Sequence, residues 1–434
     1  MTPPPVGAPP PAGDPPPPRG GSVWARFAVL GASNLLVAGL GFAATLVTAR
    51  AFGAEGLGLV SLALSIQGFG GVLTLFGTDL LAIRAVAAHP AALRPMMRAA
   101  TRLRLALSLL AYPGVLAAAW LVPAFRDVAP LVAVAGLSSF AVALSVEWAP
   151  QALRRTGVTA LANLALQAIN LAALAAVALG GGPLWGVLAA KVTADLLVAL
   201  GYRVWAARLP DPLPDPGGGA PGGPPPAEAS GPLAAARAAW PICATQLVRT
   251  LALSSDLLLL SAFVGAAALG HYAAAFRLFY VMMSVANAYF VVMMPRIFAA
   301  AARPHPALAG ELRASLRRTL PLAALGVVLL ALASPLVMGL MFGAGFREAA
   351  PALALLGAAT AVSLVGRHYR QVLLARRRQV DDLRNSAAGA AVHLLAKLAL
   401  IPLLGITGAA LGTLLGESAI LLIQRRAAAR ELEG

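Results

Sequence analysis

The chain has 434 residues, of which 59% are hydrophobic and 12% are charged, and its mean hydropathy is +0.80. Because a soluble domain is about half apolar and about a quarter charged, this composition excludes a fold built around one water-soluble core. The formal net charge of +16 does not indicate nucleic-acid binding, since the arginines stand in short loops between apolar runs. We therefore expect a protein whose partner is the lipid bilayer and not a nucleic acid.

Cysteine and histidine usage argues against a metal site. The single cysteine, Cys243, excludes a disulfide or a thiolate cluster within one chain. The five histidines are scattered, and no two of them stand at a ligand spacing. The sequence therefore predicts neither a metal nor a cofactor.

Twelve apolar segments follow a Pro/Gly-rich tail, residues 1–21, which we expect to be disordered and cytoplasmic. A helix that spans a bilayer needs about 20 mostly apolar residues. The six segments of the first half are 24–49, 57–81, 102–122, 128–149, 158–179 and 184–205. The six segments of the second half are 240–264, 271–294, 319–341, 350–371, 386–404 and 406–424.

A Pro/Gly-rich linker, residues 209–232, separates the two halves and is expected to be flexible or extended in the cytoplasm. It divides the chain into an N-terminal lobe, 22–208, and a C-terminal lobe, 233–426, followed by a tail, 427–434. The sequence thus predicts an all-α polytopic membrane protein of twelve transmembrane helices.

Arginines alternate between the two sides of the predicted membrane. If the N-terminus is cytoplasmic, the outer loops contain only Arg50, Arg126 and Arg347, and all other loop arginines face inward. Positive charge marks the cytoplasmic side of membrane proteins. We therefore expect a multi-pass protein of the bacterial inner membrane with both termini in the cytoplasm.

The two halves are related by an internal repeat. GAEGLGL at 53–59 aligns with GAAALGH at 265–271 at an offset of 212. After a short insertion in the second half the offset rises to about 221–222, which aligns Gly136 with Gly357 and Asp195 with Glu417. Both halves have an even number of helices, so they insert in the same direction. Parallel repeats in transporters are related by an axis along the membrane normal, and we expect two pseudo-symmetric six-helix lobes around a central cavity.

The hairpin of residues 249–303 contains intramembrane charges that need a partner or a cavity. Asp256 and Arg277 lie at similar depths on consecutive antiparallel helices, so they are predicted either to form a salt bridge or to line a substrate path. Arg249 is seven residues before Asp256, on nearly the same helix face, and is a candidate cavity cation. At the repeat offset Asp256 and Arg277 correspond to Ala44 and Ser65, so the first lobe lacks both charges.

Other polar residues inside the predicted helices leave two interpretations open. Lys191 and Asp195 are four residues apart on one helix face, and Lys397 and Glu417 reach similar depths. These groups either form ion pairs within a lobe or line a path. In the second case the carboxylates of Asp195, Glu417 and Asp256 are candidates for coupling to a proton or sodium ion.

Amide side chains could bind sugar hydroxyls, or could join helices by hydrogen bonds. The candidates for the cavity are Asn34, Gln246 and Asn287. Asp79, Arg84 and Glu147 stand near inner helix ends, where solvation or a loop contact is expected.

Three stretches carry a family resemblance: TARAFGAEGLGLVSLALSI at 48–66, FGTDLLAIRAVA at 76–87 and SSDLLLLSAFVGAAALGHYAAAFRL at 254–278. They resemble the polysaccharide flippases, which carry lipid-linked oligosaccharides and belong to the multidrug/oligosaccharidyl-lipid/polysaccharide exporter superfamily. The resemblance covers all twelve segments. It implies a MATE-like two-lobed bundle with a cationic cavity, in which Asp256 and Arg277 occupy family-typical positions. Members move lipid-diphosphate-linked oligosaccharides to the outer leaflet by alternating access.

The main alternative is a cation-coupled multidrug exporter of the same fold, which would require a cavity dominated by carboxylates. Mid-membrane cations outnumber the acids by one here, which favours an anionic substrate; the cations are Arg249, Arg277, Lys191 and Lys397. A glycan polymerase or ligase would place acid and base residues on a large outer loop, and the outer loops are short. We therefore expect a monomeric transporter and not an enzyme, although a scaffolding role is also compatible with the sequence.

Overall fold

The computed structural model describes residues 20–210, 232–301, 305–376 and 378–433, and every regular element in these ranges is helical. The N-terminal lobe contains α1 (Gly20–Leu75), α2 (Thr78–Ala88), α3 (Leu93–Leu121), α4 (Ala129–Gly136), α5 (Ser138–Leu144), α6 (Trp148–Ala152), α7 (Thr156–Leu179) and α8 (Trp185–Ala207). The C-terminal lobe contains α9 (Pro232–Leu260), α10 (Ala266–Ala301), α11 (His305–Phe342), α12 (Ala350–Ala375) and α13 (Gln379–Glu433). Short 3₁₀ turns lie at Pro90–Ala92, Pro123–Val128 and Ala344–Ala349.

Eight stretches of the described chain are long and apolar enough to cross a membrane. The protein is therefore a multi-pass membrane protein, as the sequence predicted. Two of the eight stretches, Ser33–Ala88 and Arg384–Leu432, each contain a hairpin, which is described below. Helices α8 and α9 are not among the eight stretches. The count of twelve spans stays a prediction.

Helix α1 is a hairpin of two antiparallel arms. Gly53 has a φ of 68° and interrupts the helix, a conformation that glycine adopts without a steric penalty. Residues at similar distances on either side of this turn, such as Thr48 with Leu57 and Thr45 with Val60, line the same cavity. The arms therefore fold back on each other, and the predicted separation of segments 24–49 and 57–81 is confirmed.

Helix α13 repeats this arrangement at Gly405, where φ is 55°. A Cβ atom at Gly412 would overlap Lys397, and one at Gly416 would overlap His393, so the residues before and after the turn pack closely in an antiparallel pair. This close packing depends on glycine, since any side chain would force the arms apart.

The predicted helix boundaries were wrong for two segments of the N-terminal lobe. The second segment, predicted to run to residue 81, ends at Leu75, because Phe76 and Gly77 have positive φ angles, and α2 then starts a separate helix. The fourth segment, predicted as one helix over 128–149, consists of the three short helices α4, α5 and α6. At the break between α5 and α6, Arg203 of α8 donates to the Leu144 carbonyl oxygen at 2.7 Å and Arg104 of α3 donates to the Ser145 carbonyl oxygen at 3.1 Å.

Several helices extend beyond their apolar segments. Helix α11 begins at His305, well before the predicted 319, and α13 continues to Glu433 through the predicted tail of 427–434. Hydropathy marks only the lipid-exposed part of a helix, and the charged residues beyond it continue the same helix. Residues 1–19 of the predicted tail and 211–231 of the predicted linker lie outside the described residues.

The two lobes meet at a reciprocal glycine contact. A Cβ atom at Gly58 would overlap the Ala266 carbonyl oxygen and approach the Gly270 nitrogen. A Cβ atom at Gly270 would overlap the Ala54 carbonyl oxygen and approach the Gly58 nitrogen. Gly58 and Gly270 are 212 residues apart, as are Ala54 and Ala266. Repeat-equivalent residues thus contact each other, as expected at a pseudo-twofold axis.

This end of the molecule, which we call the closed end, has a hydrophobic core shared by both lobes. The shared core includes Leu57 and Leu188 of the first lobe and Leu269 and Leu353 of the second. At the opposite end, which we call the open end, each lobe has a separate core, one around Trp148 and Tyr202 and the other around Ile297 and Leu308. The two lobes therefore share a buried core at the closed end only, and toward the open end Phe76 and Gly77 of the first lobe contact Trp240 and Ile242 of α9.

Polar and aromatic contacts also join the lobes at the closed end. Arg50 donates through Nε to the Met341 carbonyl oxygen at 3.0 Å and through Nη2 to the Leu340 carbonyl oxygen at 2.9 Å. These bonds cap the last turn of α11, whose carbonyl groups have no partner within the helix. Phe42 and Phe342 add an edge-to-face contact with ring centroids 5.7 Å apart.

A buried ion pair lies inside the C-terminal lobe. Lys397 and Tyr272 both donate to the carboxylate of Asp256, and the three residues are 3%, 0% and 3% exposed. The pair ties α9, α10 and the first arm of α13 together. The predicted salt bridge between Asp256 and Arg277 is therefore wrong.

Helix geometry explains this correction. Tyr272 and Arg277 both lie on α10, five residues apart, which corresponds to faces about 140° apart around the helix. Since Tyr272 faces Asp256, Arg277 points away from it. Position along a helix, which is what the sequence predicts, does not fix the direction of a side chain around that helix.

We predict that Gly270→Leu destabilises the closed end, because the side chain would displace the backbone of α1; overpacking of this kind costs about 1–3 kcal/mol. The measurement is the thermal unfolding temperature of the purified full chain in detergent. Gly201→Leu is the matched control, since Gly201 is a helical glycine of α8 and a Cβ atom added there would have no neighbouring atom within 4 Å. An equal effect of the two substitutions would contradict the close contact.

We also predict that Asp256→Ala lowers stability by about 3–5 kcal/mol, because it leaves the buried Lys397 ammonium without its counterion. Adding Lys397→Met should restore most of the loss, whereas adding Arg277→Met should not. Unfolding temperatures of the single and double variants measure this coupling. Rescue by Arg277→Met alone would reinstate the pairing that the structure excludes.

Candidate functional site

Two adjoining cavities lie between the lobes and share Gln167 and Arg277 in their walls. Their volumes are about 330 Å³ and about 230 Å³. We call the two together the central chamber. The first cavity lies between α1, α7 and α10, and the second extends into the N-terminal lobe between α1, α7 and α8.

One face of α10 forms the C-terminal-lobe wall of the chamber. Its polar residues are Arg277, Tyr280, Ser284 and Asn287, at spacings of three and four residues. This spacing places them on one helix face. The opposite wall comes from the first arm of α1, beginning at Asn34.

Arg277 is the charge that enters the chamber from the C-terminal lobe. Its guanidinium group lies against Gly41, where any Cβ atom would overlap it, and its Cζ atom is 5.5 Å from the centroid of the Tyr280 ring. The Nε atom is buried and has no hydrogen-bond partner among the described residues. No carboxylate in the described chain lies within 4.0 Å of this guanidinium, so its charge is available to a ligand.

Lys191 and Asp195 contribute to the wall of the second cavity from α8. The Lys191 ammonium is 2.8 Å from the Asp195 carboxylate, so the predicted pairing within the lobe is confirmed. Because this pair is neutral overall, Arg277 gives the chamber wall a net positive charge. The amides of Gln167 and Asn170 line the same cavity.

The repeat explains why this cavity exists in one lobe. Asp256 and Tyr272 of the C-terminal lobe correspond, at the offset of 212, to Ala44 and Val60, and both of these small residues line the second cavity. The C-terminal lobe fills the equivalent space with its buried ion pair.

The other predicted site residues have mixed placements. Asn34 and Asn287 line the chamber, and Asn287 accepts a hydrogen bond from Arg367. Gln246 is exposed on α9 and lines neither cavity. The side chain of Arg249 lies outside the described residues.

The remaining predicted charges face the interior of the C-terminal lobe. Asp256 and Lys397 are both buried in its core, away from the chamber. Glu417 lies 3.8 Å from His393, so its nearest basic group is on the facing arm of α13 and is not Lys397.

The sequence did not single out Tyr280 and Ser284, although their spacing from Arg277 was a usable signal. Gln167 and Asn170 are recognisable as intramembrane amides, but nothing in their helix distinguishes a chamber-facing amide from one that joins helices. Within the described residues, no cluster of three or more histidine, cysteine or acidic side chains could hold a metal ion. The chamber instead combines a cation, amides and an aromatic face.

The fold is similar to solved structures of transporters. A lipid II flippase MurJ in an inward closed conformation matches with a TM-score of 0.70 and 12% identity over 93% of this chain and 87% of that chain. A multidrug resistance MATE family transporter of the MOP superfamily, in an inward-facing conformation, matches with a TM-score of 0.69 and 14% identity over 91% and 94%. A Vibrio cholerae MATE transporter matches with a TM-score of 0.55 and 15% identity over 95% and 98%.

These likenesses establish the fold, a MATE-like bundle. The comparison with curated proteins found no match. The sequence matches the family described as polysaccharide biosynthesis protein over residues 23–300, which is more than half of the chain. The chain therefore belongs to the polysaccharide biosynthesis protein family.

Proposed function

We propose that the protein is a flippase that moves lipid-diphosphate-linked oligosaccharide repeat units across the bacterial cytoplasmic membrane for cell-surface polysaccharide synthesis. The observation that carries this proposal is Arg277, a chamber cation with no carboxylate partner in the described chain. A diphosphate is a polyanion whose oxygens accept hydrogen bonds from a guanidinium group. Family membership and the likeness to a lipid II flippase support the same substrate class.

The other chamber residues suit the glycan. Asn34, Gln167 and Asn287 present amides that both donate and accept hydrogen bonds, as sugar hydroxyls require. Tyr280 offers an aromatic face next to the cation. A diphosphate bound at Arg277 would thus place the attached sugars between amide groups.

Two lobes that share a buried core at one end only are suited to alternating access. The arginine distribution predicts that the closed end faces outward, so the chamber of this structure would be reached from the cytoplasm. The MATE family transporter with a TM-score of 0.69 is described as inward-facing, and the MurJ flippase with a TM-score of 0.70 as inward closed. Binding would then be followed by opening of the Gly58–Gly270 contact and release into the outer leaflet.

A cation-coupled multidrug exporter is the second candidate, because MATE transporters share the fold. Such a chamber would attract organic cations through unpaired carboxylates. Asp195, the acid in the chamber wall, is already neutralised by Lys191. The charge balance therefore favours an anionic substrate.

We predict that Arg277→Gln weakens binding of a short polyprenyl diphosphate by about 10- to 100-fold, since a hydrogen bond to a charged group contributes about 1.5–3 kcal/mol. Isothermal titration of the full chain in detergent measures the affinity. The same variant should slow flipping of a fluorescent polyprenyl-diphosphate sugar in proteoliposomes, measured by dithionite protection.

Arg313→Gln is the control, because Arg313 is exposed on α11, outside the chamber, and its loss should leave affinity unchanged. Tetraphenylphosphonium is the probe for the exporter. Wild-type protein that binds this cation but not the diphosphate would overturn the flippase proposal.

A further inference from the structure

A separate cavity at the open end of the N-terminal lobe, which we call the arginine cavity, has a volume of about 460 Å³. It lies beside the core around Trp148 and Tyr202, since Met97 packs against that core and also lines the cavity. Four of its six lining side chains carry a guanidinium group, so its wall is strongly positive. The lining residues are Arg94, Met97, Arg98, Thr101 and Arg102 of α3 and Arg203 of α8.

Hydrogen bonds at the end of α5 hold two of these arginines in place. Helix α5 packs against both α3 and α8 and ends at Leu144. There Arg203 reaches from α8 to α3, because it donates both to the Leu144 carbonyl oxygen and, at 2.6 Å, to the Thr101 hydroxyl. Arg94 donates at 3.1 Å to the carbonyl oxygen of Leu209, just beyond the end of α8. The cavity is therefore preorganised, which lowers the cost of binding a ligand.

Three of the four arginines have no acidic partner in the described chain. No carboxylate of that chain lies within 4.0 Å of Arg98, Arg102 or Arg203. Arg94, Arg98 and Arg102 are spaced by four residues and so lie on one face of α3, where like charges repel each other. An anion bound between them would relieve this repulsion.

The row of arginines belongs to the N-terminal lobe alone. The offset of 212 holds on both sides of the row, since it aligns Arg84 with Arg296 and Pro123 with Pro335. At this offset the three positions of the row correspond to Pro306, Gly310 and Ala314. The shared fold of the two lobes therefore does not require the row, and a role specific to this cavity is the better explanation.

Exposed apolar faces of the same two helices continue from the cavity toward the middle of the bundle. Leu109 lies seven residues after Arg102, on nearly the same face of α3, and is 65% exposed. Leu200 lies three residues before Arg203 on α8 and is 50% exposed. A ligand that fits both features has an anionic head and apolar chains, which is the chemistry of a phospholipid and not of a free anion.

We propose that the arginine cavity binds the phosphodiester head group of an anionic phospholipid from the bilayer leaflet at the open end. Guanidinium groups suit phosphate oxygens, and basic pockets between transmembrane helices bind head groups such as that of cardiolipin. The acyl chains lie along the exposed faces of α3 and α8. The bound lipid is not the transported molecule, because Arg203 lies eight residues, or about 12 Å, beyond Asp195 of the central chamber.

Native mass spectrometry of the full chain, with cardiolipin titrated into the detergent, measures this binding. Arg98→Gln with Arg102→Gln should weaken cardiolipin binding by about 30-fold, or about fivefold per arginine. Phosphatidylcholine, which has no net charge, should bind wild type and variant equally.

Arg313→Gln with Arg317→Gln is the matched control. These two arginines are also exposed and four residues apart, on α11 at the open end of the other lobe, and they do not line the cavity. This control should bind cardiolipin like wild type. Equal losses in the two double variants would overturn the proposal, because general attraction to surface charge would then explain the binding.

Three further arms separate the possible ligands. Inorganic phosphate should not displace cardiolipin, and displacement at millimolar concentration would show a site for free phosphate instead. The affinity for a short polyprenyl diphosphate should be unchanged by Arg98→Gln with Arg102→Gln; an equal loss of that affinity would place the cavity on the substrate path. The linker after Leu209 contains two acids, and cardiolipin binding that requires Asp211→Asn with Asp215→Asn would show that the linker is the native occupant.

Arg98→Lys with Arg102→Lys keeps both charges and should bind cardiolipin within a few-fold of wild type. This variant keeps the test decisive if the glutamine variant is unstable, since a loss as large as 30-fold with lysine would contradict a site that attracts its ligand by charge.

Discussion

The reciprocal contact between Gly58 and Gly270 is the constraint on which the rest of the structure depends. It brings two helix backbones together on the pseudo-twofold axis, where a side chain on either residue would overlap the other lobe. Around it the two lobes share a single hydrophobic core, and away from it each lobe has its own. Because the lobes share a buried core only around this contact, the central chamber can open toward the other end.

The two lobes have the same topology but differ in where they place charge. The C-terminal lobe buries Asp256 and Lys397 in its core, and this pair joins three helices. The N-terminal lobe has Ala44 at the position of Asp256, which leaves a polar cavity that Arg277 enters from the other side. We infer that the C-terminal lobe acts as a rigid wall that presents Arg277, while the N-terminal lobe provides the space for the substrate head group.

Much of the fold could be predicted from the sequence, because the bilayer imposes apolar segments and the repeat fixes which residues correspond. The offset of 212 identified the residues that meet on the axis, although it did not show that they touch. The partner of Asp256 could not be predicted, since hydropathy gives depth but not the direction of a side chain around its helix. The break at Ser145–Glu147 was also hidden, because it contains no proline or glycine and the arginines that stabilise it come from α3 and α8.

The central claim is that a diphosphate bound at Arg277 draws together two lobes that pivot at the glycine contact. Double electron–electron resonance can test it with nitroxides at Arg98→Cys and Arg313→Cys, exposed positions at the open end of each lobe, in a Cys243→Ala background. Adding a short polyprenyl diphosphate should shorten the distance between the labels in this background and leave it unchanged when Arg277→Gln is added. The same shortening in both, or no change in either, would contradict the account.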